Sequence, residues 1–316
     1  MELAFITLDV FTDTVFKGNP LAVVTLPPGQ DLSQAQKQAI AREFNLSESV
    51  FLHDEADASS KSRRIDIFTT TAELPFAGHP TVGSAVAVRA LGVDTLITGA
   101  GPIRISHRDD GHVRAEIPFR VRLHARRLID LQPRPAGLAD DERVRDAELR
   151  APVFSIVKGM TFVLAELPSL DVLGVVVTRE TDFRVDSLLD EEWRPSFVGK
   201  YYFVRTGERV DEKDQTKTYT LRTRLLELGG EDPATGSAAC CLCSYLALRE
   251  PLAGRDFVTV RFEVTQGVEM GRESNIAVDV VLRDDGAGAA RLHAVYLGGT
   301  ARIVMSGTIQ MPAGSG

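Results

Sequence analysis

The chain has 316 residues, 44% hydrophobic and 25% charged, which is the length and composition of a globular protein with a sizeable core. Its formal net charge of −8 argues against nucleic-acid binding, because that activity needs a basic surface to neutralise phosphates. No apolar run approaches the length of a membrane span, and the first residues, MELAFITLDVF, lack the pattern of a secretion signal. We therefore expect a cytoplasmic protein with neither a nucleic-acid nor a membrane partner.

The first half alternates predicted strands with two predicted helices. Strand patterns at 5–11 and 21–26 flank the turn FKGNP, and a helix is predicted over about 33–44 with a serine as its N-cap. Proline and glycine end a strand before TVGSAVAVRAL at 81–91, which we interpret as a buried helix of small residues. Further strands are predicted at 46–52, 64–70, 96–99, 103–107 and 112–117.

The second half repeats this alternation after a polar, proline-containing stretch at about 125–150, which we interpret as a linker or insertion. Segment 231–250 is predicted as a strand end followed by a helix. Strands are predicted at 152–167, 173–178, 200–207, 218–226, 257–266, 275–282 and 292–311. Setting Ala77 against Ala234 aligns AGHPTVGSAVAV with ATGSAACCLCSY, which suggests a duplication and two similar α+β domains.

Small residues precede the central helix of each half. A helix N-terminus exposes unbonded N–H groups and a partial positive charge, so small residues there let a carboxylate approach the backbone. Gly78–Pro80 and Thr235–Ser237 lie at these positions, although tight packing is the more common reason for such turns. Neither stretch has the lysine of a Walker A loop or the spacing of a dinucleotide-binding fingerprint.

The cysteines of the chain, Cys240, Cys241 and Cys243, all fall in one apolar segment. Cys240 and Cys243 have CxxC spacing, which occurs in redox pairs and zinc sites. They lie several residues inside the predicted helix, however, and no second cysteine or histidine pair stands at ligand spacing. We interpret the three thiols as buried packing groups and predict no metal site.

Two acids and one histidine are the other candidates for chemistry. Glu48 stands between a predicted helix and an apolar strand, where it is either partly desolvated and suited to proton transfer or simply exposed. His79 precedes Pro80 at a helix N-terminus and is either a proton relay or an ordinary capping residue. Asp232 precedes the second helix, where the helix dipole alone favours an acid.

Five segments carry a family resemblance: GNPLAVV (18–24), NLSESVF (45–51), FTTTAELPFAGHPTVGSA (68–85), EDPATGSAA (231–239) and VTQGVEMGRES (264–274). In this order they resemble the signatures of the PhzF phenazine-biosynthesis family. The resemblance implies the diaminopimelate-epimerase-like fold, in which two similar domains, each an antiparallel sheet or barrel around a central helix, have the active site in the cleft between them. We expect the N-terminal domain at 1–125, completed by the last strand at about 300–316, and the C-terminal domain at 126–299.

The resemblance also implies a reaction and its residues. Glu48 matches the family's proton-transferring glutamate, and the reaction implied is an isomerisation by proton transfer on a small carboxylate-bearing metabolite. Neither a metal nor an organic cofactor is implied, and members are typically homodimers. The supporting catalytic positions are His79, Asp232 and Ser237, and the substrate-binding positions are Gly78, Pro80, Thr235 and Gly236.

Two alternatives to this function stay open. Epimerases of the same fold place one cysteine at each central helix, and the corresponding positions here are Ala77 and Ala234, which disfavours a two-cysteine racemase. An epimerase or racemase that uses other residues on an amino-acid-like substrate is one alternative. A non-catalytic homologue that only binds a metabolite is the other.

Overall fold

The computed structural model describes residues 2–57, 59–227, 230–252, 254–286 and 289–312. Of the predicted final segment at about 300–316, residues 313–316 lie outside the described residues. The chain divides into two compact units, unit 1 (Met1–Ile117 with Leu297–Gly316) and unit 2 (Pro118–Tyr296). Strands with a few helices form both units, so the α+β prediction is confirmed. Within the described ranges, no helix combines the length and apolar character needed to cross a membrane.

Unit 1 is built mainly from strands. Its strands are β1 (Glu2–Val10), β2 (Asn19–Leu26), β3 (Ser49–His53), β4 (Ser62–Phe68), β5 (Glu73–Leu74), β6 (Thr95–Thr98), β7 (Gly101–His107), β8 (Val113–Glu116) and β18 (Ala301–Gln310). Its helices are α1 (Gln34–Phe44), α2 (Gly78–Ala87) and a short 3₁₀ helix (Arg89–Leu91). Helix α1 begins at the predicted serine: the hydroxyl of Ser33 accepts from the Gln36 amide and completes a capping box.

Unit 2 has the same character. Its strands are β9 (Arg122–Leu123), β10 (Val153–Val157), β11 (Met160–Glu166), β12 (Phe197–Val210), β13 (Lys217–Glu227), β14 (Gly230–Asp232), β15 (Phe257–Gln266) and β16 (Ser274–Asp284). Strand β17 (Ala290–Gly299) crosses the boundary between the units. The helices are α3 (Glu142–Arg150), α4 (Leu170–Gly174), α5 (Val185–Leu188) and α6 (Gly236–Ala247), with 3₁₀ helices at Leu128–Asp130 and Glu191–Trp193.

Both units share one succession of elements. In unit 1, β1 pairs antiparallel with β2, β2 parallel with β3, and β3 antiparallel with β4. Strands β10, β11, β12 and β13 repeat these pairings in the same order. In unit 1, the short strand β5 then pairs antiparallel with β4, α2 follows, and β6 pairs parallel with β4. In unit 2, β14 pairs antiparallel with β13, α6 follows, and β15 pairs parallel with β13. This repeated order supports the duplication inferred from the helix sequences.

The central helices α2 and α6 are buried against the strands of their own units. Helix α2 contacts β1, β2, β3, β8 and β18, and α6 contacts β10, β11, β15 and β16. The approach is close because the helices are rich in small residues. A methyl group on Gly83 would lie 2.4 Å from Cδ2 of Leu21 and 2.9 Å from Cγ2 of Val10. A residue without a side chain is therefore required by packing at Gly83.

The stretch at 125–150, predicted as a linker or insertion, contains α3, whose Val144 and Leu149 are buried in a hydrophobic core. A strand prediction in unit 2 is wrong. The stretch at 173–178 is not a strand: α4 ends at Gly174 and an irregular segment follows. Its carbonyl groups at Leu173 and Val176 accept hydrogen bonds from Nη1 of Arg224, at 2.9 and 3.0 Å, instead of from a neighbouring strand.

Candidate active site

Glu48 lies where the chain passes from α1 into β3. Asn45 ends the helix in the left-handed region (φ 51°), a conformation that asparagine adopts more readily than most residues. The side chain of Glu48 is 18% exposed, so it is mostly buried rather than exposed. Burial raises the pKa of its carboxyl group above the ordinary value, and a hydrogen bond with the Ser47 side chain offsets part of that increase. A carboxyl group in this state can hold and release a proton closer to neutral pH.

His79 faces this carboxyl group from the first turn of α2. Its Nδ1 atom lies 3.6 Å from Oε2 of Glu48, which is too long for a normal hydrogen bond but within the range of an ion pair. The imidazole is buried, with 5% of its side chain exposed. Unit 1 therefore brings together two of the predicted catalytic residues. Such contacts commonly shorten when a substrate binds.

The N-terminus of α2 carries the two predicted binding residues of unit 1. Its N-cap, Ala77, has no side-chain acceptor, and Pro80 has no N–H group. The first amide of α2 that forms a hydrogen bond within the helix is that of Thr81, which donates to the Ala77 carbonyl at 3.3 Å. The amides of Gly78 and His79 therefore precede the intrahelical ladder, in the first turn that also carries the His79 imidazole.

The remaining predicted residues lie together at the N-terminus of α6. Thr235 is the N-cap, and its hydroxyl donates to Oδ2 of Asp232 at 2.5 Å. The Ala234 amide lies 3.3 Å from Oδ1 of the same carboxylate. Gly236 and Ser237 are the first two residues of the helix, and the Ser237 side chain is half-buried. Asp232 is thus folded back onto the loop that leads into the helix.

The structure shifts the alignment of the two central helices by one residue. Ala77 is the N-cap of α2 and Thr235 is the N-cap of α6, so Ala77 corresponds to Thr235 rather than to Ala234. His79 and Ser237 then occupy the same position, the second of the helix. The sequence carries a signal for this correspondence, because a glycine follows the N-cap in both helices, but setting the two alanines Ala77 and Ala234 against each other places the glycines out of register.

A buried hydrogen-bond network behind the α6 N-terminus was not predicted. The Gln266 side chain donates from Nε2 to the Asp232 carbonyl (2.8 Å) and to Oγ1 of Thr235 (3.0 Å). Its Oε1 accepts from the hydroxyl of Tyr201 at 2.9 Å. A sequence signal existed: alternate residues 258, 260, 262 and 264 of β15 are apolar and buried, and position 266 continues that inward face. A polar residue at an inward position requires partners.

Two further contacts hold the loop before α6. Nε and Nη2 of Arg224 each lie 2.8 Å from the Glu231 carboxylate, and both side chains are largely buried. Gly267 has φ +74°, and a methyl group there would lie 2.7 Å from the Pro233 carbonyl oxygen. The loop is therefore fixed on both sides of Asp232.

The three cysteines lie inside α6, away from its N-terminus. Cys240, Cys241 and Cys243 are free thiols with no exposed surface. Burial raises the pKa of Cys240 to about 12 and raises the pKa values of Cys241 and Cys243 as well. Since the thiolate is the reactive form, these are packing groups, as the sequence indicates.

Asp31, His53 and Asp66 are the one group of potential metal ligands that lie close together in the described residues. Nζ of Lys37 lies 2.7 Å from Asp31 and 2.6 Å from Asp66, so the lysine ammonium group already supplies the positive charge. Nε2 of His53 also lies 2.7 Å from Asp66. The cluster links α1 to β3 and β4 and carries no argument for a metal.

The chain is similar to known proteins over most of its length. Residues 8–120 and 208–307 match the family model described as phenazine biosynthesis-like protein. An uncharacterized isomerase of Mesorhizobium japonicum is 33% identical over 92% of this chain and 95% of its own length. A trans-2,3-dihydro-3-hydroxyanthranilate isomerase of Pseudomonas fluorescens is 33% identical over 85% of this chain and 87% of its own.

The fold is confirmed by a solved structure. The crystal structure of a PhzF-family phenazine biosynthesis protein of Bacillus anthracis superposes with a TM-score of 0.68. The match covers 98% of this chain and 99% of that one, at 22% identity. The matched family segments contain Glu48, His79, Asp232 and Ser237. The chain belongs to the phenazine biosynthesis-like family of PhzF-type isomerases.

Proposed function

We propose that this protein is a cofactor-independent isomerase that moves a proton on a small, unsaturated, carboxylate-bearing metabolite, with Glu48 as the general acid and base. The observation that carries the proposal is the pairing of Glu48 with His79. A carboxyl group whose pKa is raised by burial faces a buried imidazole at 3.6 Å. Groups of this kind exchange protons readily near neutral pH.

In the proposed reaction, Glu48 removes a proton from a carbon that conjugation has made acidic, and the electron pair shifts along the double bonds. A proton then returns at another carbon of the same skeleton, so the product is an isomer of the substrate. His79 keeps the glutamate oriented and can exchange a proton with it. Proton transfer requires no electron carrier and no group carrier, which is consistent with a reaction that needs no cofactor.

The substrate carboxylate is proposed to bind at helix N-termini. In unit 2, Gly236 and Ser237 present the first amides of α6, and the Ser237 hydroxyl lies on the same turn. In unit 1, Gly78 and Pro80 give α2 a first turn without a capping side chain. Backbone N–H groups and the helix dipole both favour an anion at such positions. Asp232 is proposed to orient the substrate beside the α6 N-terminus.

The first test compound is trans-2,3-dihydro-3-hydroxyanthranilate, because similar enzymes are named for its isomerisation. Wild-type protein, Glu48→Gln and the control Glu43→Gln are incubated with it in deuterated buffer, followed by a panel of small unsaturated and amino carboxylates. Glu43 is an exposed carboxylate five residues before Glu48. We expect deuterium incorporation and isomer formation by wild type and by the control, and a loss of about 10²–10⁴-fold in Glu48→Gln.

Equal rates for wild type and Glu48→Gln on a compound that is converted would refute the role of Glu48. The same experiment separates isomerisation from epimerisation, because an epimerase would incorporate deuterium at a stereocentre with inversion and leave double bonds in place. The homodimer stays a prediction. Light scattering on the purified protein would return twice the 34.4 kDa of the chain if it is correct.

A further inference from the structure

Thr235 is an N-cap residue that does not cap its helix. Threonine at this position normally accepts a hydrogen bond from the second or third amide of the helix. In α6 no such side-chain bond is formed within the described residues. In α1 of the same chain, the N-cap Ser33 does accept from the Gln36 amide. The difference needs a cause, and the contacts of the Thr235 hydroxyl supply it.

The Gln266 amide fixes the direction of every hydrogen bond around that hydroxyl. The Asp232 carbonyl can only accept, so the group 2.8 Å from it must be the NH₂ of Gln266. The other N–H of the same NH₂ group then points to Oγ1 of Thr235 at 3.0 Å. Oγ1 accepts that bond and directs its own proton to Oδ2 of Asp232. The threonine hydroxyl is thereby held between Gln266 and Asp232.

Tyr201 and Thr223 hold the other end of the glutamine. Oε1 of Gln266 lies 2.9 Å from the Tyr201 hydroxyl and 3.4 Å from Oγ1 of Thr223. The Tyr201 hydroxyl is also 2.9 Å from Oγ1 of Thr223. These three side chains are buried, and Thr223 is the register partner of Gln266 in the parallel pair of β13 and β15. The glutamine therefore has one orientation, set from within the core of unit 2.

We propose that Gln266 is a positioning residue that turns Thr235 away from helix α6. This leaves the amides of Ser237 and Ala238, the second and third of the helix, without a side-chain cap and available to a substrate carboxylate, and it holds Asp232 in place through the threonine hydroxyl. The inference rests on the proposed function for its catalytic consequence. Its structural part, the anchoring of the 232–235 loop by Gln266, is testable without a substrate.

The main test compares Gln266→Met with the control Tyr201→Phe. Methionine has a similar volume but removes the two donors, whereas Tyr201→Phe removes a buried hydrogen bond to Oε1 and leaves the donors to Thr235 and Asp232. With trans-2,3-dihydro-3-hydroxyanthranilate as substrate, we expect kcat/KM to fall roughly 10²-fold in Gln266→Met, because small displacements of positioned groups cost about that much. We expect Tyr201→Phe to lose less than about tenfold.

A double-mutant cycle distinguishes positioning from a general loss of stability. If Gln266 acts through the threonine hydroxyl, Gln266→Met should cause a clearly smaller loss of kcat/KM in a Thr235→Val background than in wild type, because, of its bonds to the loop, only those to the Asp232 carbonyl and the Thr235 amide then remain to be lost. An equal loss in both backgrounds would overturn the proposal. Gln266→Leu, which also lacks both donors and introduces no buried charge, replaces Gln266→Met if that variant does not fold, and the same loss is expected.

Amide hydrogen exchange gives a readout that does not depend on activity. In Gln266→Met the amides between 232 and 238 should exchange faster than in wild type, and the increase in Tyr201→Phe should be clearly smaller because the Gln266 donors to Thr235 and Asp232 remain. Unchanged exchange in Gln266→Met would overturn the inference even if the enzyme is active. If wild type converts none of the test compounds, the proposed function fails, and the exchange experiment still decides whether Gln266 positions the loop.

Discussion

Nδ1 of His79 lies 3.6 Å from Oε2 of Glu48, and the strand register of unit 1 explains why they meet. Strand β3 begins at Ser49, which pairs with Ala22 of the parallel strand β2. Helix α2 contacts both of these strands. The residue before β3 and the first turn of α2 are therefore brought to one end of the unit 1 sheet. The sequence alone does not show that β2 and β3 pair in parallel, so it could not place Glu48 and His79 at the same end of the sheet.

The raised pKa of Glu48 predicts a stability cost that increases with pH. Folded Glu48 binds its proton more tightly than the unfolded residue, so the contribution is fully present below the ordinary pKa and is lost as pH rises through the folded pKa. Glu48→Gln should match wild type in free energy of unfolding near pH 4 and become progressively more stable than wild type at higher pH. Each unit by which burial raises the pKa of Glu48 adds about 1.4 kcal/mol to the difference in unfolding free energy between the two proteins at high pH.

Urea unfolding of both proteins between pH 4 and pH 8 measures this difference. Glu43→Gln, at an exposed position, is the control and should show no comparable rise. A Glu48→Gln variant that is no more stable than wild type at pH 8 would mean that the carboxyl group is better solvated than its burial indicates.

Gly267→Ala should distort the loop that carries Asp232. A methyl group at Gly267 would lie 2.6 Å from the Arg272 carbonyl oxygen and 2.7 Å from that of Pro233, and both are backbone atoms that cannot easily move. Gly271 also has a positive φ (+78°) but has nothing within 4 Å of the added methyl. The left-handed conformation alone costs an alanine about 1–3 kcal/mol at either position. We expect a clearly larger loss of unfolding free energy, and of activity, in Gly267→Ala than in Gly271→Ala.

The buried ion pair of unit 2 predicts an asymmetric mutational response. Oε1 of Glu148 accepts from Nζ of Lys200 at 2.9 Å and from the Tyr202 hydroxyl at 2.6 Å, and none of these side chains is appreciably exposed. Lys200→Met should cost about 3–5 kcal/mol, because it leaves a carboxylate buried without a cation. Lys200→Met combined with Glu148→Gln should recover part of that loss in thermal or urea unfolding. A double variant less stable than Lys200→Met would contradict this reasoning.

The buried thiols of α6 predict resistance to alkylation. Iodoacetamide should not label Cys240, Cys241 or Cys243 in the native protein and should leave its activity intact, whereas the urea-unfolded protein should be labelled at all three positions. Mass spectrometry of the treated protein gives the result. Inactivation that substrate prevents would return the cysteines to consideration as functional groups.

Sequence patterns predicted most of the elements, because strand alternation and caps are local signals. The Ser33 cap and the alternation of β15 are examples, and both are present in the structure. Predictions failed where the deciding partner is distant in sequence. The run at 173–178 looks like a strand, but Arg224 from β13 binds its carbonyl groups. The correspondence between Ala77 and Thr235 is a different case, because it depends on the residue at which the backbone of each helix becomes helical.

Family signatures supplied the candidate site residues, and physical reasoning from the letters alone left their roles open. Glu48 is mostly buried and faces His79 of α2, and Asp232 accepts a hydrogen bond from a glutamine more than thirty residues later in the chain. Such buried polar contacts follow from the fold. In a single sequence their only signal is a polar residue at a position where the alternation of a strand predicts an apolar one.

Strand β1 pairs antiparallel with β18, so that Glu2 lies opposite Gln310. All of unit 2 lies between these two strands in the sequence, so β1 cannot complete this pairing until every residue of unit 2 has been synthesised. Helix α2 and Glu48 belong to unit 1, so a chain shortened before β18 would leave the unit that carries the proposed general base without a pairing partner for β1.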